Sequence, residues 1–334
     1  MRGSGRIQYL FALSRTPHAL LDLAAPALTA VLWINRIPDL RVIIIGIVTS
    51  FAAYTAVYAL NDIIDFRRDQ RRIAAGCPDP DGDLDASLML HPLALECLSV
   101  RDAVLWTIGW GVVALTGAYL LNPVCALIFL GACVLETAYC ILGDVTPART
   151  FIAGIVKSAG PLAAILAVDP APEVGRFLLF FSWLFLWEVG GQNIPNDWAD
   201  VHEDRNAGLR TVAVALRPRP AALLTLGALL GTVTLSSQLS LPGESATFHL
   251  GYVAAVLLAG ALLLLVPAAR ILPAAWTADH ADGGADAAAA PVALWARSPL
   301  RRSVLSLFNR ASYYPFSLVL ITALRLGLEW KIGR

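Results

Sequence analysis

Asn61-Asp62-Ile63-Ile64-Asp65-Phe66-Arg67-Arg68-Asp69 closes one long apolar run, and Asn196-Asp197-Trp198-Ala199-Asp200-Val201-His202-Glu203-Asp204 closes another. Both read N-D-x-x-D-x-x-x-D. Residues four apart share a helix face. Asn61, Asp65 and Asp69 are therefore expected to form one acidic stripe with Asp62 beside it. Asn196, Asp200 and Asp204 are expected to repeat it, beside Asp197. Carboxylates packed this closely repel one another unless a cation lies between them. Such groups at a membrane edge usually face a bundle interior and mark a functional site.

The apolar runs around the motifs decide the class. Hydrophobic residues make up 57% of the 334-residue chain and charged residues only 15%. A soluble domain carries about 25% charged residues. The composition excludes an ordinary soluble enzyme, a disordered regulator and a nucleic-acid binder. A spanning helix needs roughly 20 mostly apolar residues. Nine stretches qualify, near 18–35, 42–66, 102–121, 123–142, 151–168, 176–195, 221–240, 249–272 and 312–330. The expected fold is all-α, a single domain over 1–334 built as an integral membrane bundle of nine transmembrane helices.

Charge sets the expected orientation. With the N-terminus inside, the arginine-rich connections around Arg67–Arg72, Arg205–Arg219 and Arg297–Arg310 all fall on the cytoplasmic side. The opposite side holds Arg36, Arg41, Arg176, Arg325, Lys331 and Arg334. The positive-inside rule favours this arrangement. The cytoplasmic loops 67–101 and 196–220 then carry the acidic motifs, and the active site is cytoplasmic. Lys157 and Lys331 are the only lysines among many arginines. That bias fits a GC-rich genome, and a bacterial plasma membrane is the expected location. The Ala/Asp/Gly-rich stretch 274–290 reads as a flexible linker. The acidic loop Asp79–Asp85 lacks the ligand spacing of a calcium loop. The cysteines show no CxxC pair and no Cys/His ligand cluster.

Two facing carboxylate stripes suit Mg²⁺, which takes oxygen ligands and commonly combines one or two carboxylates with substrate phosphates. Metal ions held there would neutralise charge on a departing diphosphate. Arg67, Arg68, Arg71, Arg72, Arg205 and Arg210 suit its oxygens, because guanidinium binds phosphate in a fork. Catalysis is assigned to Asp65, Asp69, Asp200 and Asp204. Metal binding adds Asn61, Asp62, Asn196 and Asp197.

The motif pair resembles that of the UbiA superfamily of intramembrane prenyltransferases, which also contains terpene cyclases. Supporting stretches are Asp200–Thr211, with Gly208 and Thr211, and His91-Pro92-Leu93-Ala94 followed by Leu98-Ser99. The chain departs from the family where His91 replaces an arginine and where Leu95-Glu96-Cys97 lacks a glycine. The resemblance implies a prenyl diphosphate donor ionised with Mg²⁺ and a lipophilic or aromatic acceptor, within a lipid bilayer. It places Tyr139 at the diphosphate. Arg149 or Lys157 stands in for the basic residue that usually follows that tyrosine. It implies a chamber for the isoprenoid, with Tyr54, Trp106, Trp110, Trp183 and Trp187 as candidate walls. Glu188 either meets an acceptor or guides a proton, or else pairs with a neighbouring helix. A cyclase of the same superfamily would ionise the same donor without an acceptor, and the motifs do not separate the two. A transporter is disfavoured because the acids cluster at helix ends on one side. A phospholipid head-group transferase is disfavoured because its D-G…A-R signature is missing.

Overall fold

The computed structural model describes residues 3–74, 84, 87–239, 246–281, 295 and 297–332. Among them the chain is helical and contains no strand. Nine helical stretches are long and apolar enough to cross a membrane. They are Thr16–Ile34, Leu40–Ala74, Val100–Leu121, Pro123–Asp144, Arg149–Val168, Val174–Ala199, Pro218–Ser236, His249–Asp279 and Pro299–Leu328. All nine expected runs are found. In lipid a helix satisfies its own backbone hydrogen bonds, which makes this the available architecture.

The spans form a closed ring of neighbours. The second packs on the third, the third on the fourth, and so on round to the eighth and ninth. The residues from Tyr314 to Ile332 return to the first span. Lipid tails are as apolar as leucine, so packing rather than hydrophobicity brings membrane helices together, and small residues allow it. The second and third spans pack closely, and Ala52, Ala56, Ala59, Ala103 and Ala114 are buried on them. Ile44, Leu105, Ile108 and Val112 are exposed on the same helices. Elsewhere Gly154 admits the ring of Phe185, and Gly190 lets the sixth span press against Ala228 and the Thr225 carbonyl.

The two sides of the ring differ. Spans six to nine, with part of the first, close on a continuous apolar core containing Trp183, Trp187, Leu229, Val256, Leu264, Val304 and Tyr314. The first six spans surround a cavity of about 430 Å³ instead.

Four expectations about the connections change. The first motif lies wholly inside the 35-residue helix Leu40–Ala74, not in a loop. At 1.5 Å per residue that helix runs about 52 Å, well beyond the ~30 Å hydrocarbon core, so its charged end can remain helical outside it. The second motif is not one straight stripe. A π-helical segment, Glu188–Asn193, precedes the helix Ile194–Ala199. The chain then breaks at Asp200 (φ −102°, ψ 15°) before Val201–Asn206. The stretch read as linker 274–290 begins as helix through Ala281, with Ala275 fully buried. Residues 282–290, like Asp79, Asp81, Asp83 and Asp85 of the acidic loop, lie outside the described residues. Finally, Pro299–Ser312 is an amphipathic helix that joins the bundle with Leu300, Val304, Leu307 and Phe308 buried.

Gly190→Val should destabilise the fold. A Cβ there would lie 2.7 Å from the Ala228 Cβ and 3.1 Å from the Thr225 carbonyl oxygen. Overpacking of this kind costs about 1–3 kcal/mol. Thermal denaturation in detergent should show a lowered midpoint, with Gly131→Ala, which meets nothing within 4 Å, unchanged.

Candidate active site

On the second span, 3.6 residues per turn bring Asp62, Asp65, Asp69, Arg68 and Arg72 to one face. The same arithmetic rotates Arg67 about 160° from Asp65, and Arg67 is exposed as a result. Asp62 and Asp69 are almost fully buried. Arg68 donates from Nη1 to Asp65 at 2.5 Å and to the Cys140 carbonyl at 3.1 Å. Asn61 donates to Glu136 at 2.7 Å.

The second motif meets this face across Arg72. Its Nη2 donates to Asp204 and lies 3.9 Å from Asp200, and its Nη1 lies 3.8 Å from Asp69. One guanidinium therefore ties the motifs of two helices together. Arg149 performs a related task on the other flank. Its Nη2 donates to Asp197 at 3.1 Å, and its guanidinium lies 4.5 Å from the centre of the Tyr139 ring. The Tyr139 hydroxyl accepts from Asn193 at 3.1 Å, and Thr150 donates to the Asn193 amide oxygen at 2.7 Å.

The loop after the second motif is fixed by Gly208, whose φ of +79° suits glycine. It allows Leu209 to donate back to the Asp204 carbonyl at 2.7 Å and Arg210 N–H to reach the Gly143 carbonyl at 2.7 Å. The end of the helix Ile194–Ala199 is capped from a distance: Trp295 and Arg301 both donate to the Ala199 carbonyl, at 3.1 and 3.4 Å.

Two contributors escaped the sequence reading. His91 Nδ1 lies 3.0 Å from Asp69 and 3.8 Å from Asp62. Arg15 Nη2 lies 3.9 Å from Asp62. Both have left-handed backbones, with φ of 51° and 44°. Such conformations in non-glycine residues gather at functional sites. For His91 the one hint was that it stands where the family usually has an arginine.

Charge accounts for the electrostatics outside the spans. Burial disfavours an imidazolium at His91, but the Asp69 hydrogen bond and the Asp62 charge outweigh it and hold its pKa above the ordinary histidine value. Burial raises Asp204 to about 6, against the pull of Arg72. Burial and the neighbouring Asp200 raise Glu203 to about 7.

The donor set suits a hard divalent cation. It consists of carboxylate and amide oxygens, with His91 as one nitrogen. Asp197 Oδ2 and Asp204 Oδ2 are buried without a hydrogen-bond partner among the described residues. Atoms of Asp62, Asp69 and His91 lie within 4.8 Å of one another.

The motifs stand at one end of the cavity. Asn61, Asn196, Asn193 and Tyr139 line its polar end, and Ala30, Val42, Ile43 and Leu121 are among its apolar walls. Tyr54 and Glu188 line it. Trp183 and Trp187 do not. They are fully buried in the core, and Trp187 Nε1 donates to the Ala311 carbonyl at 3.0 Å. Trp106 is taken up by Ser14, to which it donates at 2.9 Å. Among the expected phosphate contacts, Arg72, Tyr139 and Arg149 gather at the motifs. Arg67 and Arg210 are exposed, and neither is joined to a motif carboxylate by an ion pair among the described residues. Lys157 is held deeper in the chamber, 2.6 Å from Asp22.

Arg72→Met should destabilise the fold by about 3–5 kcal/mol, because it strips the counter-charge from buried carboxylates. Chemical denaturation in detergent would read that loss, and Arg72→Lys should recover part of it.

Solved structures share this architecture. A UbiA homologue from Aeropyrum pernix K1 superposes with a TM-score of 0.62 at 19% identity, over 92% of this chain and 97% of that one. A UbiA homologue from Archaeoglobus fulgidus, bound to GPP and Mg²⁺, gives 0.63 at 18% identity, over 96% and 99%. A digeranylgeranylglyceryl phosphate synthase gives 0.63 at 14% identity, over 96% and 98%. At these identities the likeness is one of fold. No curated protein matches the chain by sequence. The model of the UbiA prenyltransferase family matches residues 23–295, most of the chain, and the protein belongs to that family.

Proposed function

We propose that the protein is a Mg²⁺-dependent intramembrane prenyltransferase that ionises an isoprenoid diphosphate and passes the prenyl group to a lipophilic or aromatic acceptor. One observation carries this reading. Two acidic motifs from separate spans converge through Arg72 at the polar end of an apolar cavity. A diphosphate fits the motif end, and an isoprenoid tail fits the apolar end. The homologue from Archaeoglobus fulgidus holding GPP and Mg²⁺ supports the same pairing.

Asp62, Asp69, Asp197, Asp200 and Asp204 would hold the metal, with Asn61 and Asn196 completing the oxygen set. Mg²⁺ supplies charge neutralisation on the leaving diphosphate. Arg72 and Arg149 bind its oxygens in a fork, and Tyr139 lies beside Arg149 to position the same group. The apolar walls exclude water from the allylic cation. Tyr54 and Tyr58, stacked with centroids 6.5 Å apart, offer ring faces to it. That aromatic pair also favours a second reading, in which the cation is cyclised within the chamber and no acceptor is used.

The test uses purified protein with Mg²⁺ and dimethylallyl, geranyl, farnesyl and geranylgeranyl diphosphates, first alone and then with phenols, quinols and lipid alcohols. Diphosphate release that needs an added acceptor supports the transferase, and a cyclic product formed without one supports the cyclase. Asp69→Asn and Asp204→Asn should each lower diphosphate release at least about 100-fold while the protein stays folded, since each removes charge stabilisation of the leaving group. Full activity in either variant would sink the metal-site assignment.

The motif end is assigned to the cytoplasm, with the N-terminus inside and the C-terminus outside. Reporter fusions should place the two ends on opposite faces. Reporters on one face would contradict nine spans.

A further inference from the structure

Inside the chamber, away from the motifs, lies a second polar group. Lys157 donates to Asp22 at 2.6 Å and to the Tyr58 hydroxyl at 3.0 Å. Tyr58 donates to the same Asp22 oxygen at 2.5 Å. The other Asp22 oxygen lies 3.7 Å from His18 Nε2. Glu188 faces this group electrostatically and lines the cavity with Lys157, Tyr54 and Tyr58. It is 8% exposed, and its Oε2 has no hydrogen-bond partner among the described residues.

Lys157 is bonded to Asp22, and Glu188 feels that ammonium only at longer range. Asp22 is already matched by Lys157 and Tyr58. Glu188 has no such partner at Oε2 among the described residues. It opens the π-helical segment Glu188–Asn193. Single π-turns inside α-helices often occur at functional sites, because the extra residue re-aims a side chain. Nine residues separate Glu188 from Asp197, about 13 Å of helix rise. That distance leaves room for an allylic carbon and an acceptor between the diphosphate and the carboxylate.

We infer that Glu188 is the catalytic base that ends the reaction by taking the proton released when the prenyl cation is neutralised. This rests on the function proposed above. The bond from the donor's first carbon to diphosphate oxygen breaks, and its electron pair leaves with diphosphate. An electron pair of the acceptor's hydroxyl or aromatic ring forms the new bond to that carbon. The hydrogen on the attacked atom passes as a proton to Glu188 Oε2, and water later removes it. In cyclisation, the proton comes instead from the carbon next to the final cation.

The experiment supplies radiolabelled geranyl diphosphate, Mg²⁺ and 1-naphthol to the full-length protein in lipid nanodiscs. Diphosphate release and labelled organic products are measured together. In Glu188→Gln, diphosphate release should stay within about two-fold of wild type, while proton-loss products, naphthol adduct or hydrocarbon, fall about 100-fold or more and geraniol replaces them. Glu188→Asp should restore part of the proton-loss product. Added formate should do the same for Glu188→Ala, a response that a structural role would not give. Unchanged product partition in Glu188→Gln overturns the inference. So does a parallel loss of diphosphate release and product, or failure of formate to rescue. A wild-type protein that releases no diphosphate from any donor overturns the proposed function, and this inference with it.

Discussion

The site depends on a surplus of negative charge that one guanidinium draws together. Asp69 comes from the second span, and Asp200 and Asp204 follow the sixth. Arg72 lies within ion-pair distance of all three. Buried carboxylates brought together without a counter-charge would push two helices apart. Arg72 makes their approach favourable, Arg149 secures Asp197, and Arg68 secures Asp65. These arginines offset part of the surplus within the protein itself.

That arrangement needs rigid supports, and the ninth span provides them. The amphipathic helix Pro299–Ser312 packs under the second motif. Arg301 and Trp295 satisfy the carbonyl at the end of the helix Ile194–Ala199. Gln192 meets the Phe308 carbonyl and Ser312 within the π-helical segment. Buried backbone groups need such partners where a regular helix is interrupted. The solid core of spans six to nine therefore holds the motif that the chamber side must use.

The chamber has its own charge logic. Asp22, Lys157 and Tyr58 form a closed hydrogen-bonded set within apolar walls. Glu188 stands beside it without an equal share of the positive charge. Burial of such groups is costly unless paired, and Lys157 and Tyr58 supply that pairing to Asp22.

The sequence by itself determined the nine spans, because length and hydropathy are local properties of a run. It also determined that both motifs stand at polar helix ends, and periodicity within one helix put Asp65 and Asp69 on a common face. Tertiary structure decided what that face would meet. Periodicity separates Arg72 from Arg67, but only packing gives Arg72 its partners Asp200 and Asp204. Lys157 found Asp22, which no spacing rule connects with it. Trp183 and Trp187 turned to the core rather than the chamber, because helix periodicity defines a buried face without naming its neighbour. His91 and Arg15 reach the acidic site from a connecting loop and a helix junction through left-handed backbones. Side-chain periodicity carries no signal for such positions, and long-range packing alone sets them.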